Sequence, residues 1–250
     1  MRTDPRLLAA LLPLLASAQA AFPFTFDPIS RDFAPSGRDS IQSFRLANDG
    51  SEAIAVRIQM LTRDMDPDGK ETNAPADPLF LVYPSRVVLE ARSVQAVKVQ
   101  WKGPSDLPVE RCFRILVEQV PVEFGGEKKP GGSIRVLFRY LGTVYVVPSG
   151  ARPEVVLDSS RPALGEGGRP GLELRFSNKG NAHAILADLQ LTLSPRGPQA
   201  SAPRRLAPAD LPGINGENLL PGTSRRFFLP LPADLASGDF DVAFHFEAVR

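Results

Sequence analysis

The chain has 250 residues, of which 43% are hydrophobic and 23% charged, enough apolar material for one or two packed domains and too much for a disordered chain. Its 25 prolines and 20 glycines exclude a mainly helical protein and suit short strands joined by frequent turns. The formal charge of +1 argues against nucleic acid as a partner.

The amino terminus reads as an export signal. Arg2 and Arg6 supply a positive region, Leu7 to Leu15 an apolar stretch, and Ala18-Gln19-Ala20 a small-residue cleavage site, so residues 1–20 are expected to be removed and the mature chain to begin near Ala21. Removal takes away two arginines and one aspartate and brings the charge to about zero. The segment is too short to span a bilayer and no later apolar run is long enough, so the expectation is an exported soluble protein, not a membrane protein.

Period-two segments then recur with turn signals between them: FPFTFDPI (22–29), SFRLAND (43–49), AIAVRIQML (53–61), FLVYP (80–84), RVVLEA (86–91), QAVKVQW (95–101) and FRILVEQVPV (113–122). In QAVKVQW, Val97, Val99 and Trp101 face one way and Lys98 and Gln100 the other, the pattern of a half-buried antiparallel strand. Phe113, Ile115 and Val117 make a similar core face. The longest run is GSIRVLFRYLGTVYVVP (132–148), which places Ile134, Val136, Phe138 and Tyr140 on one face and Arg135, Leu137, Arg139 and Leu141 on the other. Large apolar groups on both faces, directly after EFGGEKKPG, whose glycines and charges mark a mobile loop, require a cover. Strands at this density describe an immunoglobulin-like sandwich over residues 21–148.

A second set follows VPSGARPE: segments at 153–159, 171–180, 183–193, 224–232 and 240–249, with longer loops such as SPRGPQASAPRR. It describes a second, smaller β-domain over residues 149–250. The short linker PSGARP contains two prolines, which predicts a restricted interdomain angle and a cleft between the domains. The expected class is all-β, with two immunoglobulin-like sandwiches.

Little in the chain points to catalysis. Cys112 is the only cysteine, so no intramolecular disulfide is possible, and it is expected to be a small packed or half-exposed residue. Asp64, Asp66, Asp68 and Gly69 match the start of a calcium loop, but Pro75 occupies the place of the bidentate glutamate and the flanks resemble strands, so a solvated turn is expected. His183 and His245 lie in separate segments without metal-ligand spacing. No GxSxG elbow is present, and the clusters GEGGRPG and KKPGGS lack a phosphate-loop ending. The expectation is a protein that is not an enzyme, with no metal, cofactor or small-molecule substrate.

The order of export signal, FRLANDGSEAIAVRIQMLTRDMDPDGKE, YPSRVVLEARSVQAVKVQWKG, ERCFRILVEQVPV and the 132–148 strand resembles the periplasmic chaperones of chaperone–usher pilus assembly, most strongly over residues 25–150. RDMDPDGKE, RYLG and NGENLLPG look more like the archaic branch, associated with spore-coat-like pili, than the branch serving urinary adhesive pili. The resemblance implies a periplasmic location, with pilus subunits and an outer-membrane usher as partners. It also implies that the last strand of the first domain is lent to a subunit lacking a strand, with Ile134, Val136 and Phe138 at the donor positions, followed by Tyr140. Better-known members anchor the subunit's terminal carboxylate with two basic residues in the cleft. Arg31 matches the first; the second, usually lysine, falls at Thr143, where this sequence departs from the pattern. Arg114, on a strand expected to neighbour the donor strand, is the replacement candidate, with Arg135 and Arg139 as weaker choices. A pilus subunit or surface adhesin of the same architecture is the alternative, and an exported hydrolase a third reading.

Overall fold

Alternation of apolar and polar residues closes the first sandwich. The computed structural model describes residues 24–122, 136–196, 202–232, 235 and 238–249; the expected export signal, the EFGGEKKPG segment, Ile134 and Arg135 lie outside them. In chain order the first half forms β1 (Thr25–Asp27), β2 (Ser30–Phe33), β3 (Ile41–Ala47), β4 (Ile54–Thr62), β5 (Asp64–Met65), β6 (Glu71–Thr72), β7 (Phe80–Tyr83), β8 (Arg86–Leu89), β9 (Val94–Trp101), β10 (Arg111–Val120) and β11 (Arg139–Val146). One sheet has the order β1-β3-β9-β7 and faces a second of order β2-β11-β10-β4-β8. Between β1 and β2 the chain changes sheets: β1 pairs antiparallel with β3, whereas β2 pairs parallel with β11.

Between these sheets lie Val97, Val99 and Trp101 of β9, Phe113, Ile115 and Val117 of β10, and Val56, Ile58 and Met60 of β4, all buried as period two requires. Edge-to-face rings consolidate the centre, with Phe80 4.9 Å from Phe113 and 5.1 Å from Trp101. Buried Asn48 ties the loop after β3 to the end of β8, its side-chain amide donating to the Leu89 and Glu90 carbonyls.

The second half forms β12 (Val155–Leu164), β13 (Pro170–Asn178), β14 (Ala184–Pro195), β15 (Arg204–Leu206), β16 (Asn218–Leu219), β17 (Ser224–Pro230) and β18 (Phe240–Val249). Sheet β12-β13-β17 covers a second sheet in which β15 and β16 pair with one edge of β14 and β18 with the other. Leu174, Phe176, Leu189, Leu191 and Leu229 fill a separate core. The molecule is all-β, with two immunoglobulin-like sandwiches. Asn178 repeats the Asn48 device, donating to the Ala182 and Leu219 carbonyls. The linker is pinned to this domain: Asn181 accepts from the Arg152 amide at 2.8 Å through its side chain, and its own amide donates to the Arg152 carbonyl at 3.0 Å.

Candidate functional site

Strand β11 has two unequal edges. Its inner edge pairs with β10 along its whole length, Arg111 opposite Val146 through Glu118 opposite Arg139, and the Gln119 amide extends the ladder to the Phe138 carbonyl at 2.9 Å. Its outer edge meets β2 only from Thr143 to Val146, where Ser30 lies opposite Thr143. From Arg139 to Gly142 that edge has no strand partner among the described residues. Unpaired backbone groups on a sheet edge are a template for another strand.

The side chains along β11 change character toward this open end. Val144 and Val146 are buried in the first core. Tyr140, on the same face, packs edge-on against Phe24 at 5.0 Å and donates its hydroxyl to the Phe24 carbonyl at 2.6 Å. Phe138 is half-buried against the same cluster, while Val136 is 64% exposed. On the opposite face Leu137 and Leu141 are 43% and 37% exposed. Leu137 also lines an apolar groove of about 700 Å3 together with Val88 and Val120.

Where the open edge meets β2, a charged cluster begins. Arg114 lies directly opposite Thr143 and donates to its hydroxyl. The rest of the Arg114 fork is turned on Glu71, with Nε donating to Oε2 at 2.9 Å and Nη2 to Oε1. Arg63 shares that carboxylate, its Nε 2.9 Å from Oε1, and donates from Nη1 to the Tyr145 hydroxyl at 3.1 Å. Burial opposes ionisation of Glu71, but the two guanidinium groups outweigh it and hold the carboxyl below its usual range. Glu71 reaches this position because β5 and β6 form a hairpin that folds back beside the end of β4.

The two domains meet beside this cluster. The Tyr145 ring stacks on His183 at 3.7 Å, and its hydroxyl lies 2.6 Å from the Asn218 side-chain amide. His183 Nδ1 sits 2.8 Å from Glu110 Oε1, with the two side chains only 2% and 1% exposed. Cys112 Sγ donates to the same carboxylate; burial, followed by the Glu110 charge, pushes its thiol far above the ordinary value and disfavours the thiolate. The turn within β5–β6 leaves Asp64, Asp66 and Asp68 exposed, as the sequence reading expected, and it also reaches the second domain. Asp66 accepts from the amides of Asp68 and Lys70, Asp68 pairs with Arg226 of β17 at 2.8 and 2.6 Å, and the Pro67 carbonyl accepts from the Arg226 amide. Gly69, at φ +84°, leaves space that a Cβ would take from the Arg225 guanidinium.

The expected anchor residues are therefore not all brought together. Arg114 stands beside Thr143, but Arg31 is opposite Val144, on the other face of the sheet, and is exposed; Ser30 takes the place beside Thr143. Arg139 is exposed opposite Glu118. Arg63 and Glu71 were not singled out from the sequence. The signal was present in RDMDPDGKE, where a Pro-Asp-Gly turn brings an arginine and a glutamate together across a short hairpin.

Residues 35–151 match the family described as pili and flagellar-assembly chaperone, PapD N-terminal domain. Among solved structures, the chain is similar to that of the CsuC–CsuE chaperone–tip adhesion subunit pre-assembly complex of the archaic Csu pili of Acinetobacter baumannii, with 14% identity, TM-score 0.57, and 88% of this chain and 97% of that one covered. A chaperone–tip adhesin complex of CFA/I fimbriae biogenesis gives 17% identity, TM-score 0.55 and coverage of 90% and 94%. The Salmonella enterica SafA pilin–SafB chaperone complex gives 16% identity, TM-score 0.51 and coverage of 85% and 86%. No curated protein sequence matches.

Proposed function

We propose that this chain, whose residues 35–151 match the pili and flagellar-assembly chaperone family, is a periplasmic chaperone that captures pilus subunits by lending them β11 and the apolar run before it, and passes them to an outer-membrane usher. The observation carrying this reading is the half-paired edge of β11, apolar toward Val136 and ending at Thr143, whose hydroxyl Arg114 holds. A lent strand must offer backbone partners along one edge and side chains of alternating direction to fill the partner's core. Ile134, Val136 and Phe138 are the donated side chains; Tyr140, held by Phe24, keeps the strand in its own domain.

Arg114 receives the terminal carboxylate of the captured chain. A guanidinium fork suits a carboxylate better than the lysine it replaces, and a charge-assisted bond of this kind contributes roughly 1.5–3 kcal/mol. Arg31, Arg135 and Arg139 are weaker proposals for this contact, Arg31 because of the face it occupies. The reading is non-enzymatic and uses no cofactor. Two complete sandwiches support a chaperone over a pilus subunit, which would be a single domain lacking a strand.

The test is a tagged chaperone purified from periplasm with its bound proteins identified. The wild type should retain pilus subunits. Ile134→Ser, Val136→Ser and Phe138→Ser combined should remain folded but lose them, because each buried apolar side chain contributes about 1.5–3 kcal/mol to the complex. Normal capture by the triple variant would show that another register is donated. Unfolding would assign these side chains to the chaperone's own core.

A further inference from the structure

The guanidinium offered to a captured subunit is already engaged in the free protein. Arg114 commits Nε and Nη2 to the Glu71 carboxylate and Nη1 to Thr143, and Arg63 donates to Oε1 of the same carboxylate. Glu71 therefore holds the position that an incoming carboxylate would need. We propose that Glu71 is an internal stand-in for the subunit's terminal carboxylate, occupying Arg114 until a subunit arrives and giving it up on capture. The proposal rests on the reading of Arg114 as the anchor.

Three further observations carry it. First, a strand added along the open edge of β11 runs out of room at Thr143, where β2 begins, so its end is delivered beside the Arg114–Thr143 pair. Second, Arg63, Arg114 and Glu71 together leave one positive charge uncompensated within the cluster, which accommodates one more carboxylate. Third, Glu71 has somewhere to go: it sits at the start of β6, in a hairpin whose own ladder has two residue pairs, and Arg63 retains a hold on it when Arg114 lets go. An occupied anchor favours ligands that bring both a carboxylate and a strand, since a free carboxylate alone gains little by exchanging with Glu71.

The test compares two synthetic extended peptides that alternate valine with serine, identical except that one ends in a free carboxylate and the other in an amide. Binding is measured calorimetrically to the intact chaperone. Glu71→Gln should bind the acid peptide about tenfold tighter than wild type, as expected for losing one competing charged contact, and the amide peptide unchanged. Equal or weaker acid-peptide binding by Glu71→Gln would overturn the proposal and make Glu71 a residue that positions Arg114. Tighter binding of both peptides would also overturn it, showing a general loosening of the edge. If Arg114→Ala binds the acid peptide as well as wild type does, the anchor reading itself fails, and the stand-in with it. Glu71→Asp, which keeps the charge but shortens its reach to Arg114, serves if the glutamine variant does not fold, with a smaller gain expected for the acid peptide alone.

Discussion

A Cβ at Gly142 would lie 2.8 Å from the Ile29 carbonyl oxygen and 2.9 Å from both Ile115 Cγ2 and a Phe26 ring carbon. Two of these neighbours belong to a packed core and the third to the backbone that carries the chain from one sheet to the other, so none yields easily. Gly142→Ala should lower stability by about 1–3 kcal/mol, read as a lower urea midpoint with an unchanged slope. Glu71 gives a second expectation, in pH. Its pKa is held below the usual value once the arginines outweigh its burial, so its contribution is present above the unfolded value, about 4.3, and is lost as pH falls from there through the lower folded value. Urea midpoints of the wild type should therefore drop in this acid range by an amount that Glu71→Gln lacks. Parallel pH profiles for the two proteins would mean that the cluster adds nothing to stability.

Strands such as β9 and β10 were legible in the sequence because one face of each is buried and the other, Leu116 of β10 apart, is not, which writes a period of two into QAVKVQW and FRILVEQV. Strand β2 was not, since in SRDF only Phe33 is buried and its place is fixed by pairing with β11. The pairs β5–β6 and β14–β16 contain strands of two residues, too short for any periodicity. This hid half of the charged cluster. Arg114 could be found because its strand was visible, whereas the side taken by Arg31 depends on the register of β2, and a shift of one residue exchanges the faces. Strand β11 starts at Arg139, and the described residues before it, Val136 to Phe138, lie outside the strand although the apolar alternation runs on through them; Val136 and Leu137 are exposed there. Tyr140→Ala should destabilise the free protein by about 2–4 kcal/mol through lost packing and the lost bond to Phe24, while Val136→Ser should change it by no more than about 0.5 kcal/mol. Similar losses for the two variants in thermal or urea unfolding would mean that Val136 is also held by its own domain.

Contacts between the sandwiches are polar and specific: Glu110 with His183, Tyr145 with His183 and Asn218, and Asp68 with Arg226. Removing His183 leaves both Glu110 oxygens buried without their ring partner, a loss of about 1–3 kcal/mol. We expect His183→Ala to separate the two domains' unfolding into distinct calorimetric transitions and to raise the radius of gyration in small-angle scattering. A single sharp transition at the wild-type dimensions would place the coupling in the hairpin contact with Arg226. The abrupt start of β2 opposite Thr143 has a consequence for anything that docks along β11. From Arg139 to Gly142 the open edge measures roughly 13 Å at about 3.3 Å per residue, and its inner end is fixed. If subunits are captured along this edge as proposed, the start of β2 is a stop: each incoming chain is counted from the same zero, whatever its identity, and meets the donated side chains in the same register.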